Sequence, residues 1–144
     1  MAGIRIDIVT AEREVFSGEA DVLVAPGIEG ELAVLRRHAP LLTQLQPGEV
    51  TIRSEGEEIS MVLTGGFLEV LGDRIVILAD AAERAEEIDL ERAEAAMKQA
   101  QDRIAHRESD QDLERALHQL ARSRARIRTA RRRRSRGTMR SEGG

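Results

Sequence analysis

Arg122 and Arg126 stand four residues apart, a spacing that puts both guanidinium groups on one face of a helix. Arg92 lies upstream, and three residues before it Asp89 offers the short carboxylate that opens helices by accepting from a free backbone N–H. If the chain between them turns back near residues 108 and 109, antiparallel pairing sets Arg92 level with about Ala125, and Arg122 and Arg126 come beside the start of the first helix. Three planar guanidinium forks converging near a helix N-terminus suit bidentate capture of phosphate oxygens. Asp89 would orient Arg92, or accept from a ribose or adenine donor. The plainer reading of the same residues is a helix N-cap with an i, i+3 ion pair and a solvated basic face.

Other chemistries lack their parts. There is no Cys, so thiolate metal sites, thiol nucleophiles and disulfides are excluded, and a reducing compartment is the default. Gly27 and Gly30 are not followed by the Gly-Lys-Ser/Thr of a phosphate-cradling loop. His38, His106 and His118 are scattered; even if the latter two approach across a hairpin, they lack a third ligand for zinc. No base or metal cluster is evident to hydrolyse a bound nucleotide, so an anion held by the arginines would be a signal and the chain is expected not to be an enzyme. A basic-tailed module binding nucleic-acid phosphates is the competing reading, argued from Arg128 to Arg136. With two Phe and no Trp or Tyr, the chain has almost no stacking platform for single strands, and no nucleic-acid partner is expected.

The elements that must position the arginines follow from patterning. Residues 1–84 read as all-β. Ile4, Ile6 and Ile8 alternate with Arg5 and Asp7, and Val50 and Ile52 with Thr51 and Arg53, a period of two that places the apolar set on one face of a strand. Further runs at Asp21–Ala25, Glu31–Leu35, Ile59–Thr64, Phe67–Leu71 and Arg74–Ala79 are separated by turn residues such as Pro26-Gly27, Pro47-Gly48, Gly65-Gly66 and Gly72-Asp73. Many short strands at this spacing imply an antiparallel β-sandwich, with a loop between sheets over Arg36–Leu42 where Pro40 cannot donate to a ladder. After Asp80 the composition turns to Ala, Glu, Arg and Gln with no Pro or Gly before Gly137, which is helical composition.

Leu90, Ala93, Met97, Ala100 and Ile104 mark one helical stripe; Leu113, Leu117, Leu120, the intrusive Arg124 and Ile127 mark another. Arg107-Glu108-Ser109-Asp110 breaks the pattern, and Ser109 or Asp110 can cap the next helix. The fold class is therefore α+β: a sandwich domain over 1–84, an antiparallel helical hairpin over 85–130, and an Arg-rich disordered tail over 131–144. The Ala-rich stripe buries little area against ordering costs of about 1–2 kcal/mol per residue, so the hairpin is expected to be marginally stable and able to open.

Charge divides along the same boundary. The net charge is −4, but residues 1–84 carry 7 Lys+Arg against 15 Asp+Glu and residues 85–144 carry 15 against 11. From Arg122 to Arg140 there are ten Arg and no acid, a positive field that seeks an anionic surface. The amino terminus alternates apolar and polar residues, so no signal peptide is expected, and no apolar run approaches the roughly 18 residues of a membrane-spanning helix.

The segments Ile8-Val9-Thr10, Glu12 to Glu19, Ala25-Pro26-Gly27 to Gly30-Glu31-Leu32, His38-Ala39-Pro40-Leu41-Leu42 and Gly65-Gly66-Phe67-Leu68-Glu69-Val70 resemble, in order and spacing, the sandwich of the epsilon subunit of bacterial F-type ATP synthase. Ile88-Asp89-Leu90-Glu91-Arg92-Ala93 resembles the motif with which that family's helical domain begins, and the likeness covers about residues 3 to 128. Two features depart from the family: Arg36-Arg37 replaces a Pro-Gly turn ahead of His38, and the Arg-rich run after Arg131 extends past the usual end.

The resemblance implies a non-catalytic central-stalk subunit at the cytoplasmic face of the inner membrane, held there only through its complex. It implies a sandwich that binds the gamma subunit and touches the polar loops of the c-ring, with Glu31 and His38 in the surface facing those loops and proton flow coupled to ATP synthesis. In family members that bind ATP, the pocket falls on positions matching Glu83, Ile88, Asp89, Arg92, Arg122 and Arg126, so ATP is implied as a regulatory ligand. The implied mechanism is a two-state switch. The folded hairpin is permissive; the extended one carries its Arg-rich end to the alpha and beta subunits and resists ATP hydrolysis. ATP binding only the compact form would shift the balance by about 2.7 kcal/mol at roughly 100 times its dissociation constant.

Overall fold

The computed structural model describes the backbone of residues 3–142 and the side chains of residues 3–133. It divides into two compact units, Met1–Glu83 and Arg84–Gly144.

The strands are β1 (Ile4–Val9), β2 (Glu14–Ala20), β3 (Val22–Gly27), β4 (Gly30–Leu35), β5 (Leu41–Leu45), β6 (Gly48–Ser54), β7 (Glu57–Leu63), β8 (Gly66–Leu71), β9 (Arg74–Ala79) and β10 (Ala82–Arg84). They join in the order β10-β7-β6-β3-β5-β8-β9-β1-β2, with β4 also paired to β3. This long sheet folds over so that one face of β1 through β9 encloses a single core. Ile6 and Ile8 of β1, Leu23 of β3, Met61 and Leu63 of β7, Leu68 of β8 and Ile75 and Ile77 of β9 are all fully buried within it. Each such side chain contributes about 1.5–3 kcal/mol by leaving water. The arrangement is a β-sandwich, as the alternation of Ile4, Ile6 and Ile8 requires: these are buried while Arg5 points out.

The ladders β1–β2, β3–β4, β3–β5, β3–β6, β5–β8, β6–β7 and β8–β9 are antiparallel, whereas β1 and β9 run parallel from Arg5 beside Arg74 to Val9 beside Leu78. These strands are separated by most of the domain, so no tight turn dictates their relative direction. Strand β3 turns the corner between layers. Its residues Val22–Val24 pair with β6, and Gly27 pairs with Leu45 of β5. The β5–β6 connection wraps its edge, where Gln46 donates its backbone N–H to the Pro26 carbonyl at 2.9 Å and its side-chain amide to the Gly27 carbonyl at 3.0 Å. A side chain at position 48 would meet Pro26 Cβ at 2.7 Å, so this close crossing requires Gly48.

Three strands were not expected from the sequence. A register shift between Ile8 and Val9 breaks the alternation of β2 against β1, β5 begins within the segment 36–42 expected to be a loop and runs three residues past it, and β10 is three residues long. Pro40 lies just before β5 and does not interrupt it.

In the second unit a short 3₁₀ turn, Ala85–Glu87, precedes α1 (Leu90–Ala105) and α2 (Asp110–Glu142). Asp89 caps α1, and its side chain accepts from the Arg92 N–H at 3.1 Å. Ser109 caps α2 by accepting from the Asp112 N–H at 3.1 Å. On α1, Ala93 and Ala100 are buried, with Leu90, Met97 and Ile104 half-buried beside them, matching the expected stripe.

On α2 the stripe is rotated from the expected one. Ala116, Leu120, Ser123, Ile127 and Ala130 are buried, whereas Leu117 is 47% exposed and Arg124 is exposed. Small residues let the helix backbones approach, and the Ser123 hydroxyl is satisfied by the Gln119 carbonyl at 2.9 Å. Ala125 and Thr129 are buried as well, on the opposite side of α2, so this helix has more than the one narrow stripe expected. A further correction concerns the tail. Residues 131–142, expected to be disordered, continue α2, because Arg is a good helix former and the single Gly137 costs only about 1 kcal/mol. Residues 143 and 144 lie outside the described residues. Among the described residues no helix is long and apolar enough to cross a membrane.

Candidate functional site

The candidate anion site is assembled along the hairpin. Asp89 is committed to the α1 cap, which leaves the side chain of Arg92 exposed on the first turn. Two features at this end favour an anion: the dipole of α1 and the free N–H groups of its opening turn. Ile88 is half-buried at the end of the 3₁₀ turn and donates its N–H to the Ala85 carbonyl at 3.3 Å. Glu83, on β10, is half-buried in the first unit.

Cross-helix contacts set the register of the two helices. Arg103 donates to the Gln119 side chain at 2.8 Å, and Arg131 reaches Glu94 at 2.9 Å. In this register Arg126 lies across from the middle of α1 and Arg122 nearer the Ser109 turn, while Arg92 stands level with about Arg131 to Arg133 and not with Ala125 as expected. Arg126 and Arg122 are half-buried. Arg122 is also engaged within α2, where its Nη1 donates to His118 Nδ1 at 3.0 Å. By backbone register Arg126 does not stand level with the Asp89–Arg92 end, and Arg122 is bonded to a neighbour on its own helix. In the sequence His118 was weighed only as a zinc ligand, although its i, i+4 spacing from Arg122 was a visible signal. Also passed over was the clasp at the open end, where Arg131 meets Glu94 and Arg133 approaches Glu86 at 4.0 Å.

On the first unit Glu31 is exposed near the start of β4 and His38 is half-buried three residues past its end, with roughly 13 Å of strand from Glu31 to Leu35 between them at about 3.3 Å per residue. A partner touching both must be broad. Arg37, between them, adopts the left-handed conformation at φ 66°, the backbone shape usually left to Gly, and its N–H donates to Asp73 Oδ1 at 3.3 Å. The His38 ring lies 2.7 Å from the Ala39 carbonyl through Nδ1.

A second surface stands out. On the outer face of β5, β8 and β9, Phe67 lies directly opposite Leu78, and these are 52% and 56% exposed, with Leu42 on β5 at 70%. Apolar side chains gathered on one sheet face in this way mark an interaction surface more often than chance exposure does.

Across the β1–β9 junction, Asp7 accepts from Ser17 at 2.7 Å and lies 3.4 Å from Arg5 and 3.5 Å from Arg74. The Ser17 hydrogen bond, ahead of the two guanidinium groups, holds the Asp7 carboxyl below its ordinary range, against the opposing effect of burial.

Comparison with known proteins bears on both units. Residues 3–85 match a family model described as ATP synthase, Delta/Epsilon chain, beta-sandwich domain, and residues 86–131 match ATP synthase, Delta/Epsilon chain, long alpha-helix domain. The chain is 54% identical over 128 residues to an ATP synthase epsilon chain of Dehalococcoides mccartyi, covering 83% of this chain and 91% of the relative. It is 49% identical over 133 residues to an ATP synthase epsilon chain of Herpetosiphon aurantiacus, covering 92% and 98%. Among solved structures, a chain of the Euglena gracilis mitochondrial ATP synthase (OSCP/F1/c-ring) shares the fold with a TM-score of 0.77 at 23% identity, covering 87% of this chain and 79% of that one. Sandwich and hairpin match in the same order along nearly the whole described chain, and the chain belongs to the ATP synthase delta/epsilon-chain family.

Proposed function

We propose that this chain works as the epsilon subunit of an F-type ATP synthase central stalk, at the cytoplasmic face of the inner membrane and held there through its complex. The observation that carries this reading is the match of both units, in order, to relatives named epsilon chain over most of their length. The sandwich joins the gamma subunit to the polar loops of the c-ring, and so takes part in coupling proton flow to ATP synthesis without catalysing a reaction itself. The exposed Leu42–Phe67–Leu78 face supports docking of gamma, because an apolar centre ringed by charged side chains such as Glu69 and Arg74 has the anatomy of a protein interface. Glu31 near the start of β4 and His38 past its end fit contact with a surface as wide as a ring of loops.

The hairpin senses ATP. Supporting this, Asp89 orders the first turn of α1 and Arg92 is exposed there, with the arginines of α2 running antiparallel alongside. Ile88 flanks the cap, while Glu83 and Arg122 complete the set of positions implied by the family. ATP held by the compact form keeps the hairpin folded; without ATP the hairpin extends toward the alpha and beta subunits and inhibits ATP hydrolysis. A ligand shifts this balance only by its preference for one form.

Two experiments test the two halves of the proposal. ATP is titrated into the purified chain and its Arg92→Ala and Arg126→Ala variants; binding that both substitutions leave unchanged would remove the sensor reading. Co-expression with gamma tests docking, with Phe67→Asp expected to abolish co-purification of a chain that remains folded by circular dichroism. Failure of the unaltered chain to co-purify with gamma would overturn the stalk assignment.

A further inference from the structure

The face of α2 that carries Arg122 also carries His118 one turn earlier, and the two side chains are joined by the 3.0 Å contact between Arg122 Nη1 and His118 Nδ1. Their spacing of four residues holds the pair together wherever α2 is helical. A guanidinium can only donate, so the contact requires His118 Nδ1 to be unprotonated and the neutral ring to carry its proton on Nε2. Both residues line an open cleft of about 750 Å³, lined entirely by the hairpin. The charged groups facing His118 there are Arg103 from α1 and Glu114, Arg115 and Arg122 from α2. Arg103 is itself held by Gln119.

We propose that His118 is a positioning residue for Arg122 and makes anion capture by the hairpin depend on pH. The neutral imidazole holds the guanidinium along the helix axis, bonded to its own helix. Protonation places a hydrogen on Nδ1, removes the acceptor and sets two cations against each other. Arg122 then leaves for an anionic group, and the imidazolium stands beside it as a second donor to phosphate oxygens. The inference rests on the reading of the hairpin as an ATP sensor and adds a second input to it: ATP binds more tightly when the ring is protonated, and so at lower pH. The signal would couple the switch to the acidity of the compartment as well as to its nucleotide level.

The test compares the full chain with its His118→Gln variant, in which the amide oxygen can accept from Arg122 at every pH and helix propensity is kept. ATP is titrated calorimetrically into both at about pH 6 and about pH 8, on either side of the ordinary imidazole range. Protonation of ATP itself is common to the two chains and cancels in their affinity ratio. At the higher pH the affinities should agree. At the lower pH the unaltered chain should bind about three- to fivefold more tightly than the variant, the effect of one charge contact at a solvated site. Equal ratios at both pH values, with ATP bound throughout, overturn this proposal alone. No binding by the unaltered chain at either pH overturns the sensor reading and this proposal with it. An independent check uses ring ¹⁵N spectra at the higher pH: Arg122→Ala should change the His118 Nδ1 resonance, and an unchanged resonance would show that the pair does not form in solution.

Discussion

Arg131 on α2 reaches Glu94 on α1, Nη2 to Oε1 at 2.9 Å, and so clasps the hairpin at the end away from the Ser109 turn. The two side chains are 64% and 44% exposed, so solvent and salt weaken the pair. Replacing Arg131 with Ala should lower the stability of the hairpin by less than about 1 kcal/mol in dilute buffer and by almost nothing in about 1 M salt. Circular-dichroism melts at the two ionic strengths check this; a large loss that persists at high salt would mean that the pair is not solvated.

Ala100 is fully buried on the α1 stripe, where α1 and α2 pack together. Ala100→Leu inserts three heavy atoms into that seam and should cost about 1–3 kcal/mol by overpacking. Hydrogen exchange across α1 should accelerate while the core strands β1, β8 and β9 keep their protection, since Ala100 belongs to the second unit. Acceleration in the strands as well would show that the two units unfold together.

The Asp7 carboxyl titrates below its unfolded value because the folded state favours its charged form. The stabilisation it gives is therefore present above the unfolded carboxylate range and is lost as pH falls through the lowered folded value. Asp7→Asn should flatten the decline of stability below about pH 4 and lower stability at neutral pH, where the charged form is the favoured one. Denaturant melts at a series of pH values measure both effects. A parallel decline in the two proteins would exclude Asp7 as a source of the acid sensitivity.

Gly66 opens β8 at φ 134°, and a Cβ there would lie 2.1 Å from the Leu78 carbonyl oxygen. Gly66→Ala must move backbone that carries the β8–β9 ladder, so we expect a loss of about 3 kcal/mol or more. The Gly56→Ala change serves as a comparison, because Gly56 at φ 81° meets nothing within 4 Å and has only the conformational cost. Equal losses at the two positions, measured by urea denaturation, would mean that steric contact at Gly66 is not the deciding term.

Some of this architecture was legible in the chain and some was not, for physical reasons. β1 was legible because Ile4, Ile6 and Ile8 all face one core and their neighbours face solvent. β5 was not: Leu41 and Leu42 are adjacent leucines, one half-buried and the other 70% exposed, so apolar character did not report the side on which each lies. The α2 stripe was misjudged by favouring size. Leu117 and Arg124 filled the expected period, but close helix approach selected Ala116 and Ser123 one position earlier. Asp89 declared its capping role through residue type and position. The tie between Arg122 and His118 was also present in the spacing, but neither reading of Arg122, as a phosphate ligand or as part of a solvated basic face, includes an imidazole partner.

The corner strand β3 has a mechanical consequence. One edge of this single strand is hydrogen-bonded to β6 over Val22–Val24 and to β5 at Gly27, so a segment of continuous backbone stitches the two layers together. A sideways load on either layer must break ladder bonds at that seam before the layers can slip past each other, whereas layers joined only by side-chain contact could shear. The sandwich is thereby keyed against twisting, a stiffness that suits the stalk role proposed for it.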